Sequence, residues 1–271
     1  MSRLSVNEMT TYRWSFEEDV EHYRRAGMGA IGVWRQKLSD YGEERGAELL
    51  AESGLAVSNL LWAGGFTGNE GHSFEDSVAD AIDAVRLCRT LGSDCLVVYT
   101  GARAGHTHNH ARRIIDDALK AILPVAEEHE VTLAFEPMHP HYAAGWTYWT
   151  DFYAALDRVA NQDHRLLRLV FDTYHFGTLP GIATRIREIA PWVAVVHLGD
   201  GRYSKGPDQD RTRLGDGEVP LRDLVHAFEA AGYSGYYDLE LMGQDIEACC
   251  YHKLLDHSKR VFEQITSTAE V

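Results

Sequence analysis

The chain has 271 residues, with 26 basic and 41 acidic side chains and a formal net charge of −15. A field of that sign repels a phosphate backbone, and no local basic strip compensates, so no nucleic-acid partner is expected. Hydrophobic residues make up 45% and charged residues 25%, an ordinary balance for a globular protein long enough to bury a large core without disulfides. Cys88, Cys95, Cys249 and Cys250 show no CxxC pairing, the last two adjacent in a predicted helix. They read as buried filler thiols in a reduced, cytoplasmic protein. The opening residues 1–14 lack the apolar core of a signal peptide. No run approaches the length that spans a bilayer, so no membrane association is expected.

Short apolar runs alternate with amphipathic stretches from end to end. Strands are predicted over residues 4–7, 29–34, 56–62, 94–100, 131–136, 168–172, 193–197 and 235–241. Helices are predicted over 16–26, 41–53, 74–91, 111–129, 151–159, 180–190, 221–231 and 245–265, with glycines where several of them should stop. Eight β-then-α units of a little over 30 residues match an α/β protein folded as one (β/α)₈ TIM barrel, residues 1–271 forming a single domain. A doubly wound open sheet would show the same alternation. It is disfavoured because no Gly-rich turn follows the first strand and because polar residues close many strands, not one switch point. Residues 200–220, rich in Gly, Asp and Arg, form a long loop after the seventh strand. Such a loop belongs on the catalytic face of a barrel.

Four residues close successive strands there: Glu136 after VTLAF, Asp172 after LRLVF, His197 after VAVV and Glu240 within GYYDLEL. Strand parity sets Glu136 with Thr132 and Ala134 on the small-residue face, which a barrel strand turns inward. The same count groups His197 with Val193 and Val195, and Glu240 with Asp238. Hard oxygen donors with one imidazole suit Mn²⁺ first, with Mg²⁺, Co²⁺ or Zn²⁺ as alternatives, and not a structural thiolate zinc site. Any one such residue alone would read as a solvated loop acid; four at consecutive strand ends read as a site.

The segments LAFEPMHP, VFDTYH, VVHLGDGR, LGDGEVPL and GYYDLELMG resemble, in order and spacing, the xylose isomerase-like TIM barrel superfamily over nearly the whole chain. Its members include ketose 3-epimerases, hydroxypyruvate isomerases, inosose isomerases and dehydratases, and apurinic endonucleases. The resemblance implies that Glu136, Asp172, His197 and Glu240 hold one divalent ion and that Glu136 and Glu240 move the proton. It further implies that His175 and Arg202 hold hydroxyls of a small sugar or cyclitol. The endonuclease branch adds histidines after the third and fourth strands and a DxH in the loop after the seventh. Here those places read Leu60-Leu61-Trp62, Val98-Tyr99-Thr100 and Asp210-Arg211-Thr212, so a three-metal cluster is not expected.

The implied activity is a metal-dependent sugar isomerase or epimerase working by proton transfer next to a carbonyl. A lyase with the same site, acting on an inosose or a 3-keto-glycoside, stands as the alternative. A non-catalytic sugar-binding barrel is the alternative of another class. Oligomerisation, with a second copy or a second subunit, stays open. His139 is preferred over His141 as a further substrate contact. Trp34 and Trp62 are read as rim platforms for a sugar face, although core packing would account equally for these two and for Trp14 and Trp146. His106, His108 and His110 read as a polar loop and helix start. Arg103, Arg202, Arg211 and Arg213 leave a phosphorylated sugar open, although Asp216 and Glu218 crowd the loop where it would sit.

Overall fold

The apolar runs become eight of the ten strands among the described residues, and the computed structural model describes residues 3–68, 71–202 and 210–267. The strands are β1 (Leu4–Asn7), β2 (Ala30–Trp34), β3 (Ala56–Gly64), β4 (Cys95–Tyr99), β5 (Thr132–Phe135), β6 (Leu167–Asp172), β7 (Val193–Leu198), β8 (Asp200–Gly201), β9 (Arg211–Thr212) and β10 (Tyr237–Leu239). Eight of them pair in parallel and close into a barrel in the ring order β1-β10-β7-β6-β5-β4-β3-β2. The remaining two, β8 and β9, form a small antiparallel ribbon on the loop after β7. Part of the loop predicted over 200–220, namely 203–209, lies outside the described residues.

Helices fill the crossovers. They are α1 (Phe16–Arg25), α2 (Arg35–Tyr41), α3 (Glu43–Ser53), α4 (Phe74–Thr90), α5 (His108–His129), α6 (Phe152–Gln162), α7 (Thr173–Phe176), α8 (Ile182–Ile189), α9 (Leu221–Ala230), α10 (Gln244–Ala248) and α11 (Tyr251–Thr266). Reciprocal side-chain caps start α1 at Ser15 with Glu18 and α4 at Ser73 with Asp76, each satisfying two orphan amide groups. No helix of the described residues is long and apolar enough to cross a membrane.

The second predicted helix, over 41–53, is α3; α2 precedes it as a helix that was not predicted, set apart by Gly42, whose φ of 105° no helix accommodates. The last divides at Cys249 and Cys250, both extended, so these cysteines bridge α10 and α11 and do not share one helix. Cys88 and Cys95 are buried, whereas Cys250 is exposed, so the filler reading holds for the first pair only.

Alternation along each strand sorts side chains into two layers. Val131, Leu133 and Phe135 face the helices within the large outer core. Leu61, Cys95, Val97, Ala134, Val170 and Val195 make a small plug inside the barrel. The parity reading therefore holds for Ala134 and Val195. Val193 packs with the outer core instead, because the β6–β7 register shifts between Leu169 and Val170. Aromatic edges complete the outer layer: Phe171 meets Phe152 and Phe228 edge-on, with centroids 5.2 Å away in each case.

A buried polar cluster pins the loop after β1 to the helices. Lys37 Nζ donates to the carbonyls of Glu8 and Thr11 at 3.2 and 3.0 Å and to Asp19 Oδ2 at 2.5 Å. The Trp34 amide donates to Glu8 Oε2 at 2.7 Å. Burial, reinforced by the negative charge of Asp19, raises Glu8 well above the ordinary carboxyl range. Burial also pushes Asp19 up to about 6, against the pull of Lys37. Two acids facing one ammonium in a dry site cannot both ionise cheaply.

Candidate metal centre

The strand ends deliver the four residues to one place. The backbones of Glu136 and Glu240 continue the ladder one step past β5 and β10, their amides donating to Val98 O at 2.9 Å and Leu198 O at 3.0 Å. Asp172 and His197 are paired partners on β6 and β7. Each of the four offers one donor atom, and these atoms all lie within 4.8 Å of one another, with every side chain buried.

Within the cluster, His197 Nδ1 lies 3.3 Å from Glu136 Oε1 and 3.5 Å from Glu240 Oε2. Its Nε2 points the other way and lies 3.9 Å from Asp238 Oδ2. Asp238 in turn accepts from Asn7 Nδ2 at 3.0 Å and Asn59 Nδ2 at 2.9 Å. No side chain fits under it at position 32: a Cβ on Gly32 would come within 2.4 Å of Asp238 Oδ2. The polar layer below the cluster thus supports the histidine from beneath.

Asp172 Oδ2, His197 Nδ1 and Glu240 Oε2 are all buried without a completed hydrogen bond among the described residues. Buried polar atoms are normally paired. Three ligand atoms without a completed hydrogen bond, two of them 3.0 Å from the Arg211 guanidinium, converge from three strands, and a metal ion would satisfy them. Three carboxylates and one imidazole match a hard or borderline divalent ion, so the residues present fit such a group.

A cation already belongs to the cluster. Arg211, on β9, lies 3.0 Å by Nη2 from both Asp172 Oδ2 and Glu240 Oε2, and its Nη1 donates to the Glu240 carbonyl at 2.8 Å. Its guanidinium stacks 4.8 Å over the Tyr174 ring, and a Cβ on Gly199 would come within 2.6 Å of Nη1. Burial would raise Asp172, but Arg211, His175 and His197 outweigh it and hold the carboxyl well below its ordinary range. Glu240 is lowered in the same way, mainly by Arg211 against burial. Glu136 lacks that partner, and burial raises it despite His197. Burial would lower His197, but the two glutamates outweigh it and raise it.

The loop that carries Arg211 is organised by Asp200, which accepts amide hydrogens from Gly201 and Gly215 at 2.8 Å, Gly217 at 3.1 Å and Val219 at 3.2 Å. A Cβ on Gly217 would sit 2.1 Å from Asp200 Oδ1, so the glycines of LGDGEVPL let the backbone wrap the carboxylate.

The other predicted residues fall in several places. His175 is buried beside Asp172, with Nε2 3.9 Å from Oδ2. Arg202 is exposed, and the guanidinium at the cluster belongs to Arg211. His139 stacks on His141 in the loop after β5, centroids 5.0 Å apart. Trp34 and Trp62 stand half-buried on the β2–β3 side, 6.3 Å apart by ring centroids. Trp14 packs against Tyr251 and His252, with ring centroids 5.1 and 5.0 Å away. His106 and His110 pack together at the start of α5, as a polar loop would.

Arg211 was read from sequence only as one of four arginines that could meet a phosphate, and Asp200 and the Asn7–Asn59 support were missed. Arg211 had one available signal. Three carboxylates and one divalent ion leave a formal −1, which a buried site rarely tolerates unpaired, and an arginine in the long loop was the natural counter-charge.

Residues 20–261 match the family described as xylose isomerase-like TIM barrel. The chain belongs to that family. Among solved structures, this xylose isomerase-like barrel is similar to protein SMc04130 from Sinorhizobium meliloti 1021, at 27% identity and a TM-score of 0.88, covering 97% of this chain and 98% of that one. It is also similar in fold to the IolI protein solved with a zinc atom, at 20% identity and 0.82, covering 98% of each chain. The barrel of L-ribulose 3-epimerase matches at 18% identity and 0.79, covering 98% of this chain and 94% of that one. A comparison with curated proteins gave no match.

Proposed function

We propose that this protein is a divalent-metal-dependent isomerase or epimerase that moves a proton at the carbon beside the carbonyl of a small ketose or keto-cyclitol. The observation that carries the reading is the buried set of Glu136, Asp172, His197 and Glu240, whose donor atoms converge at the C-terminal ends of four neighbouring strands. That is where barrel enzymes keep their chemistry. The family membership and a zinc-bearing structural relative point the same way.

Glu136, Asp172, His197 and Glu240 would hold the ion, Mn²⁺ before Mg²⁺, Co²⁺ or Zn²⁺. When bound, such an ion polarises the substrate carbonyl and fixes a neighbouring hydroxyl. The protein supplies the proton transfer. Glu136 and Glu240 stand at the two ends of the four-strand arc β5-β6-β7-β10, so a substrate between them meets a carboxylate from either side. One oxygen of each faces His197, and the other is the proton carrier. A base on one side and an acid on the other invert a carbon; return of the proton to the adjacent carbon isomerises.

Arg211 sits where negative charge would build on the substrate oxygen and stabilises it without reorganising. His175, buried beside Asp172, orients a hydroxyl. Trp34 and Trp62 are rim platforms for a sugar face on the β2–β3 side of the mouth.

The test is incubation with a panel of ketoses and inososes in D₂O with Mn²⁺, read by NMR. Deuterium at the α-carbon, lost in Glu136→Gln and Glu240→Gln by about 10²–10⁴-fold, supports the reading. No exchange on any panel member by the metal-loaded protein overturns it, and new ultraviolet absorbance without exchange would assign the site to elimination instead.

A further inference from the structure

The barrel mouth has two unlike halves. The metal-ligand candidates occupy the ends of β5, β6, β7 and β10. The ends of β2, β3 and β4 carry aromatic rings, and they form a continuous series. Tyr99 is the neighbour of Glu136 across the β4–β5 ladder, since Val98 pairs with Phe135 and its carbonyl accepts from the Glu136 amide. From there the centroids run Tyr99 to Trp146 at 5.4 Å, Trp146 to Trp62 at 5.1 Å and Trp62 to Trp34 at 6.3 Å. Tyr12 extends the series 5.7 Å beyond Trp34.

These rings are not fully buried, although Trp62 also packs against the inner plug. All four from Tyr99 to Trp34 are half-buried, and Tyr12, 51% exposed, is the one large hydrophobic side chain left open among the described residues. The four from Tyr99 to Trp34 wall a cleft of about 540 Å³, whose remaining lining is Leu61, Ala63 and Gly64 of β3 with the polar Arg35, Gln36, Ser39, Glu43 and Asp80. Arg35 is held there by a fork to Asp80, with both nitrogen–oxygen distances 2.8 Å, and by donation to the Trp62 carbonyl at 2.9 Å. The Trp62 indole Nε1 is buried with no acceptor among the described residues.

Rings that offer flat faces, beside planar guanidinium, amide and carboxylate groups, make the chemistry of a pyranose site. The ring faces pack on axial C–H groups, and the polar groups read neighbouring hydroxyls. A purely aromatic ligand would leave Arg35, Gln36, Glu43 and Asp80 facing apolar surface, which costs their hydration. The volume alone is that of an entire small-ligand site, typically about 300–1,000 Å³, and a single small ketose gripped at the metal set has no use for it.

We propose that this cleft is a subsite for a second sugar ring, so that the substrate is a ketose or keto-sugar carrying a glycosyl group and not a free monosaccharide. The substrate then spans the mouth, its carbonyl end among the metal-ligand candidates and its second ring against Trp34, Trp62 and Trp146. This rests on the sugar-isomerase reading above for the reacting end only; the cleft is tested by binding.

The experiment compares D-fructose with three glucosyl-fructoses of different linkage, isomaltulose, turanose and leucrose, by calorimetry on the full chain loaded with Mn²⁺. At least one disaccharide should bind about ten-fold or more tighter than fructose. Trp146→Ala and, separately, the exposed Gln36→Ala should remove that gain while leaving Mn²⁺ affinity unchanged. Equal or absent binding of all three disaccharides overturns the proposal, as does a gain that survives both substitutions. Disaccharide preference without deuterium exchange would keep the cleft and remove the isomerase reading. Exchange on fructose without disaccharide preference would do the reverse.

Discussion

The guanidinium of Arg211 lies 3.0 Å from the carboxylate of Asp172, and both side chains are buried. The same Nη2 is 3.0 Å from Glu240. The protein therefore carries its own cation against two of the four residues that would bind a metal. With a divalent ion present, the formal charge of three carboxylates, one ion and one guanidinium is zero.

Replacing Arg211 with Met should act in opposite directions on metal and fold. Removing a positive charge from the ion's vicinity should tighten Mn²⁺ binding by about ten-fold, as close like charges repel strongly in a low-dielectric site. The metal-free protein should lose roughly 3–5 kcal/mol, the cost of stripping a buried carboxylate of its partner. Calorimetric metal titration and chemical denaturation in EDTA check the two effects. Weaker Mn²⁺ binding in the variant would show that Arg211 organises the ligands and does not compete with the ion.

Loading the cluster should stabilise the whole barrel, because its ligands come from four strands and an ion bound only by the folded state shifts unfolding by mass action. At a free Mn²⁺ concentration 100 times the dissociation constant, the gain is about 2.7 kcal/mol. Thermal scans with Mn²⁺ and with EDTA read it directly. Asp172→Asn should abolish the Mn²⁺-dependent shift, and a shift that persisted would place the ion elsewhere.

Glu8 and Asp19 give a pH prediction of definite sign. Their folded-state pKa values are raised, that of Asp19 from 3.8 to about 6. Between pH 4 and 6 the native state thus holds more protons than the unfolded chain, and stability falls as pH rises through that window. The groups facing this pair are Lys37, the Thr11 hydroxyl, which donates to Asp19 Oδ1 at 2.5 Å, and Tyr23, bonded to Thr11. Glu8→Gln imitates the protonated acid. It should flatten the pH dependence between 4 and 6 and leave stability at pH 7 equal or higher; urea midpoints across that range test it.

Asp200 should matter to the loop more than to the barrel. Asp200→Ala removes the acceptor of four amides. Hydrogen exchange should accelerate at Gly201, Gly215, Gly217 and Val219, with global stability falling by about 1–3 kcal/mol, the range for orphaned buried donors. Because the same loop carries Arg211, KM for any substrate found should rise. Unchanged exchange at those amides would mean that the ribbon of β8 and β9 holds the loop without Asp200.

Much of this molecule was legible in the chain. Barrel strands and helices announce themselves by local period, since a strand alternates every second residue and a helix repeats every 3.6. Where the backbone broke without a glycine or proline to announce it, as at Cys249 and Cys250, the prediction merged two helices into one. The four candidate ligands were legible because each sits one step past an apolar run, and parity placed Ala134 and Glu136 on the same inward face. Arg202 and Arg211 were harder to separate. Both follow β7 in a loop without periodicity, and nothing local states which guanidinium folds back over Tyr174.

By itself, the amino-acid order determined the closed eight-strand barrel and which four side chains end its neighbouring strands. Both follow from hydrogen-bond geometry and burial that repeat along the chain. Tertiary structure alone decided that Arg211 shares Asp172 and Glu240, that Asp238 and two asparagines underlie His197, and that Trp146 joins Trp62. Those contacts link residues from 29 to 231 positions apart. They depend on barrel closure and loop path, and no local pattern encodes either.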